Sequence, residues 1–161
     1  MKIEMTRNRA NGFSLIELVV AMLIASTLAA IAIPSYSNYV RKTRRTEARS
    51  ALLDIASLEE RYYSTQNQYT ATWTELGFPA TAGAVTVGNG YYTVAVPGVG
   101  LAGVPSATAA GTPATYSLVA TPVAGSDQAK DTTCASFTVT SAGAQSSLNS
   151  GGTDTTSTCW K

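Results

Sequence analysis

Gly12-Phe13-Ser14-Leu15-Ile16-Glu17-Leu18 opens an apolar run that continues to Ile33 and meets Pro34. From Phe13 to Ile33 there are 21 residues, and Glu17 is the only charged one among them. As a helix rising about 1.5 Å per residue, the run is roughly 31 Å long, close to the thickness of a bilayer's hydrocarbon core. A carboxylate inside such a segment is costly, so it marks a function and asks for a partner. Scission between Gly12 and Phe13 would supply one, a new α-amine about one helical turn before Glu17. Amine and acid could pair within one chain or between neighbours. A packed array of such helices favours the second, because every chain brings one charge of each sign.

Beyond Ile33 the pattern changes. Pro34 removes a backbone hydrogen bond and either ends a helix or kinks it. Helical spacing then resumes: Ala48, Leu52, Ile55 and Tyr62 recur at steps close to three and four, with Arg45, Arg49, Glu60 and Arg61 on other faces. The reading is one long helix over residues 13–63, bent near Pro34, whose outer half needs a cover for its apolar stripe.

After Ser64 the composition turns to Thr, Ala, Gly, Val and Ser. Residues 91–96, 115–121 and 135–140 alternate with a period near two, and 144–148 is a weaker fourth run. Pro97-Gly98, Pro122 and Ser141-Ala142-Gly143 punctuate them. An antiparallel sheet with one face on the helix follows, which makes the fold α+β. Residues 99–113, rich in Gly, Ala and Pro, read as a loose loop between the first two strands or as disorder. Tyr62, Tyr63, Tyr69, Trp73, Tyr91 and Tyr92 read mainly as packing between sheet and helix.

Composition narrows the chemistry. The 161 residues suffice for one domain with a modest core. No histidine is present, so neither a Ser-His-Asp nor a Cys-His arrangement can form, and no enzyme activity is expected. With no histidine and no CxxC pair, no metal or other cofactor is expected either. Glu59-Glu60 point about 100° apart on a helix and read as solvated, not as a converging acid/base pair. Asp127 and Asp131 flank Lys130 but offer too few oxygen donors for calcium.

Formal net charge is +1, and the first twelve residues hold Lys2, Arg7 and Arg9 against Glu4, leaving the remainder slightly acidic. A near-neutral chain offers nucleic acid no general attraction. Residues 66–161 carry only Lys130 and Lys161 against Glu75, Asp127, Asp131 and Asp154. The cluster Arg41-Lys42-Thr43-Arg44-Arg45 reads as a solvated helix face beside a membrane, meeting anionic headgroups or acids of neighbouring chains, in preference to DNA capture.

The run Gly12 to Leu18, with Ala29-Ala30-Ile31-Ala32-Ile33-Pro34-Ser35-Tyr36, resembles the type IV pilin family. Tyr39-Val40-Arg41 is similar to that family's helix after the proline. Glu60-Arg61-Tyr62-Tyr63, Tyr116-Ser117-Leu118-Val119-Ala120-Thr121-Pro122 and Cys159-Trp160-Lys161 resemble minor pilins of the PilE type.

The resemblance implies a pilin fold: a long bent N-terminal helix, half of it transmembrane, packed on a small antiparallel sheet with a C-terminal disulfide loop. Residues 1–12 would be a leader, removed after Gly12 by a prepilin peptidase that also methylates Phe13. Residues 13–65 would be the helix, with 13–33 spanning the membrane and later entering the filament core, Glu17 guiding assembly and Pro34 supplying the kink. Residues 66–161 would be the globular part. A secretory signal is cut after its apolar core, whereas here the core would stay attached. Positive residues flank both sides of the segment, and the cleavage motif, not the positive-inside count, places the leader in the cytoplasm.

Cys134 and Cys159 then lie on the side facing an oxidising compartment and are expected to form a disulfide, the alternative being two free thiols. Such a bond closes a loop of roughly 26 residues, worth about 3–4 kcal/mol in the chain-entropy model, and would order the polar residues 147–158. The implied partners are other pilin and minor pilin subunits, the prepilin peptidase, the inner-membrane assembly machinery and the membrane; DNA is not among them. The implied location is the inner membrane, single-pass with a periplasmic C-terminal domain, and then the extracellular pilus. The implied function is a structural subunit, a minor pilin, of a filament for twitching motility and adhesion, with DNA uptake left open. The alternatives are a type II secretion pseudopilin and a membrane-anchored DNA-uptake or DNA-binding pilin.

Overall fold

The computed structural model describes residues 14–70, 72–79, 83–95 and 115–161. Gly12, Phe13 and the expected loop 99–113 lie outside the described residues. The chain divides into two compact units, residues up to Tyr39 and Val40–Lys161, and helix α1, Leu15–Gln66, has residues in both.

In the first unit the apolar side chains face outward: Leu15, Ile16, Met22, Leu23, Leu28, Ile31 and Ile33 are all largely exposed. Two hydroxyl groups of the run are satisfied locally. Ser26 donates to the Leu23 carbonyl at 2.9 Å and Thr27 to that of Ile24 at 2.8 Å. Back-bonding of this kind removes donors that an apolar medium could not solvate. Pro34 lies inside α1, so it does not end the helix.

In the second unit the stripe expected from spacing is the buried one: Ala48, Leu52 and Ile55 are sealed, and Glu59 continues the row. Asn67, with φ 54°, stops the helix in the left-handed region that Asn tolerates. Five strands cover the stripe: β1 Ala84–Val87, β2 Tyr92–Ala95, β3 Ser117–Pro122, β4 Ser136–Thr140 and β5 Gln145–Leu148. They lie in chain order and all neighbours are antiparallel. One row crosses the whole sheet, Val85 to Val94 to Ala120 to Phe137 to Ser147, and every member is buried. The row's four apolar members, with Tyr92, Leu118 and Val139, meet Leu52 and Ile55 in the core.

Strands β2 to β5 sit within or beside the four runs read from the sequence, and Val96 of the first run lies outside the described residues. Strand β1 went unpredicted. Its Val85 and Val87 do alternate with Ala84 and Thr86, but four residues give little periodicity to read. The stronger signal was Gly88-Asn89-Gly90, a hairpin turn. Gly88 has φ 57°, and a Cβ there would stand 2.9 Å from Glu47 Oε2. The turn needs glycine for its backbone and for the closeness of the helix.

The Cys134–Cys159 disulfide ties the start of β4 to the short helix α2, Thr156–Cys159. Residues 147–158 are ordered by local bonds. Asn149 Oδ1 accepts from the Gly151 and Thr153 amides at 2.9 Å each, and Ser147 N–H donates to Thr156 Oγ1 at 2.9 Å. Trp160 completes the closure: its Nε1–H donates to the Ser146 carbonyl at 2.8 Å, and its ring meets Phe137 edge-on.

Candidate assembly site

Glu17 stands in the first turn of α1, exposed among exposed Leu15, Ile16, Leu18 and Val19. An apolar surface this continuous is uncommon on a protein that lives alone in water and requires lipid or other chains around it. Helix α1 is long and apolar enough at its N-terminal end to cross a membrane. Gly12 and Phe13, the expected processing pair, lie outside the described residues, so their approach to Glu17 is not on view.

The basic cluster does not form the free, solvated face expected of it. Arg41 Nε and Nη2 donate to Asp127 at 3.1 and 3.0 Å, and Arg45 Nε and Nη2 donate to Asp131 at 2.7 and 2.9 Å. Both are two-point carboxylate pairs, the strong geometry for guanidinium. The sequence spacing makes the match: Arg41 and Arg45 share a face one turn apart, and the two acids, Asp127 in the turn Asp127–Lys130 and Asp131 at its end, are also four residues apart. Hydrogen bonding to Arg41 holds the Asp127 carboxyl below its ordinary range. Arg44 instead lies over the Tyr91 ring, 3.7 Å from its centroid.

Gln128 knits this seam from inside. Its side-chain amide donates to the Arg41 carbonyl at 3.2 Å, to Tyr92 Oη at 2.8 Å and to Asp131 Oδ2 at 3.3 Å. Burial first pushes Tyr92 up to about 12. Glu47 fixes the β1–β2 turn, accepting from Asn89 Nδ2 at 2.7 Å and from its backbone N–H at 3.3 Å. Asp127 and Asp131 are thus spent on arginines and not gathered for a cation, and among the described residues no acid, cysteine and histidine cluster could hold a metal.

Glu59 is the second departure. It is sealed in the core and not solvated, because it falls on the buried stripe four residues after Ile55. Burial first, then Glu60 and Glu75, push its carboxyl up from 4.5 to about 7, against the pull of the Thr70 N–H. Glu60, its neighbour, is exposed and accepts from Tyr69 Oη at 3.0 Å.

An outward apolar helix segment and a disulfide-closed, five-stranded antiparallel domain agree with the pilin fold that the sequence resembles. Residues 34–138 match the family model described as type IV minor pilin ComP, DNA uptake sequence receptor, and residues 7–33 match the prokaryotic N-terminal methylation motif. The chain belongs to the type IV minor pilin ComP family.

It is similar to the type IV major pilin protein PilA of Myxococcus xanthus, 31% identical over 48% of this chain and 36% of that one. It is also similar to the fimbrial protein EcpC of Eikenella corrodens, 34% identical over 65% of each. The chain therefore spans about a third of the first relative and just under two thirds of the second. Among solved structures, a type IV pilin from Shewanella oneidensis matches at 19% identity and a TM-score of 0.39, over 65% of this chain and 89% of that one.

Proposed function

We propose that this chain works as a minor-pilin subunit of a type IV pilus, held in the inner membrane by residues 13–33 with residues 40–161 on the periplasmic side. A prepilin peptidase cuts after Gly12 and methylates Phe13. The assembly machinery then moves the helix from lipid into a bundle of like helices. The observation that carries this reading is the exposed apolar surface from Leu15 to Ile33 with one acid, Glu17, at its start. Lipid and bundle are equally apolar, so apolar area alone does not choose a register. An acid left without a cation in the bundle costs several kcal/mol, so Glu17 chooses the register that meets a Phe13 ammonium. The reading includes no catalytic step: the chain acts by assembling, toward twitching motility and adhesion.

Glu17→Ala is expected to leave leader removal intact and to cut filament incorporation sharply, measured by immunoblot of sheared filaments against the membrane fraction. Incorporation at the wild-type level overturns the pairing. Gly12→Leu is expected to block cleavage, seen as a retained leader by intact-protein mass spectrometry.

DNA uptake is the second reading, favoured by the description of the family model. With Arg41 and Lys130 paired to Asp127 and Arg45 paired to Asp131, a phosphate would be met by such exposed cations as Lys42 and Arg61. Binding to duplex DNA by the full chain in detergent, with a salt slope of about one phosphate per cation engaged, would support it. An affinity indifferent to both salt and sequence would remove it.

A further inference from the structure

The end of α1 holds a carboxyl group that the filament reading leaves unused. Glu59 is 0% exposed. Its Oε2 accepts the Thr70 N–H at 3.1 Å, while its Oε1 is buried with no partner among the described residues. Thr70 carries the contact onward: its hydroxyl bonds Glu75 and accepts the Thr72 N–H at 3.0 Å. Glu75 belongs to the turn Trp73–Leu76, whose Trp73 and Leu76 are core residues.

The groups that act with Glu59 come from each element around it. They are Glu60 and Tyr62 on its own helix, Tyr69 beside Thr70, Glu75 on the turn, and Tyr116 just before β3. Burial pushes the tyrosines up, Tyr69 to about 12, so they stay neutral near pH 7. Glu60 and Glu75 carry the sign of a Glu59 carboxylate. An ion at Glu59 therefore meets a charge's full desolvation and like charge together, whereas a neutral carboxyl meets a far smaller desolvation and no like charge.

We propose that Glu59 is a pH-sensitive latch, which in its neutral form holds Thr70 and the Trp73–Leu76 turn on the end of α1 and in its ionised form releases them. The sign follows from the two environments. Closed, the group titrates at about 7; released into water, it returns to its ordinary 4.5. The closed form binds the proton more tightly, so closure is fully favoured below the lower value and weakens as pH rises to the higher one. Over that window the opening constant grows about tenfold per pH unit, roughly 300-fold in all, and is flat above it. The Thr70 N–H favours the ionised form, and the shift already includes that opposing pull.

Amide hydrogen exchange on the full chain in detergent micelles, corrected for intrinsic rates, tests the latch by following Thr70 against Val139 of β4. Between pH 5 and pH 8 the Thr70 protection is expected to fall about a hundredfold while that of Val139 holds. Glu59→Gln, equal in shape and without charge, is expected to abolish the fall. Thr70 protection that tracks Val139 at every pH overturns the latch, as does a fall that persists in Glu59→Gln. Should Glu59→Gln not fold, Glu75→Gln decides: losing one like charge moves the upper end of the transition to lower pH, and an unmoved transition overturns the proposal.

Discussion

Asp127 and Asp131 each take a two-point grip on an arginine of the same helix, yet burial separates what they are worth. The Asp131 side chain is 4% exposed and that of Arg45 13%, whereas Asp127 is 43% exposed. Asp131 also accepts from Gln128 and from the Cys134 N–H at 3.3 Å. Removing it strands a guanidinium and the Cys134 N–H away from water, so Asp131→Ala is expected to cost about 3–5 kcal/mol. Asp127→Ala opens a water-exposed carboxylate position beside Arg41, whose own side chain is 17% exposed, so water can replace the lost acceptor and the cost is expected to be far less. Urea titration of the full chain in detergent, followed by tryptophan fluorescence, measures both; equal costs would mean that burial does not set the strength of the seam. The acids and arginines were visible in the sequence but their pairing was not, because it joins residues 86 apart through a turn that only the fold brings to the helix. Glu59 was closer to legible. The steps 48, 52, 55, 59, 62 keep the stripe's rhythm, and its charge, not its position, suggested a solvated residue.

Among the elements, the long helix was the most readable, since its apolar run and stripe are both long and periodic. The short ones were not: β1, the Trp73–Leu76 and Asp127–Lys130 turns and α2 span four residues each, too few for a period to declare itself. These short pieces rely on crosslinks and caps. Ser126 Oγ accepts the Ala129 N–H at 3.3 Å to start its turn, and the Asp154 carboxylate accepts the Thr156 N–H at 2.8 Å to start α2. The Cys134–Cys159 bond anchors α2 against the sheet. The double variant Cys134→Ser with Cys159→Ser is expected to lose about 2–4 kcal/mol. Its loosening should be local. Hydrogen exchange is expected to quicken first in α2 and β5, while β2 and β3, interior to the sheet and packed on α1, hold their protection. Uniform quickening across all five strands would show instead that the bond supports the whole sheet.

At the scale of the molecule, the two units answer to different solvents. The first is apolar on its outside and bonds its Ser26 and Thr27 hydroxyls back onto its own helix, as suits a segment bound for lipid or a helix bundle. The second has a core whose residues run from Ala48 to Cys159, and its seam begins at Arg41. Cutting away residues 1–39 therefore keeps every side chain of that core, and Arg41 and Arg45 with their carboxylate partners. It does create a helix end at Val40, where the first four N–H groups lose their carbonyls and the first turn frays. Arg41 sits in that turn and Arg45 lies beyond it, so the Asp127 pair should weaken while the Asp131 pair holds. Residues 40–161 alone are expected to be a soluble monomer that unfolds cooperatively, within about 1–2 kcal/mol of the full chain in detergent. Sedimentation and urea titration read both properties. A truncated chain that aggregates or melts without a sharp transition would mean that the apolar half supports the fold as well as anchoring it, and the division of labour between anchor and domain would fail with it.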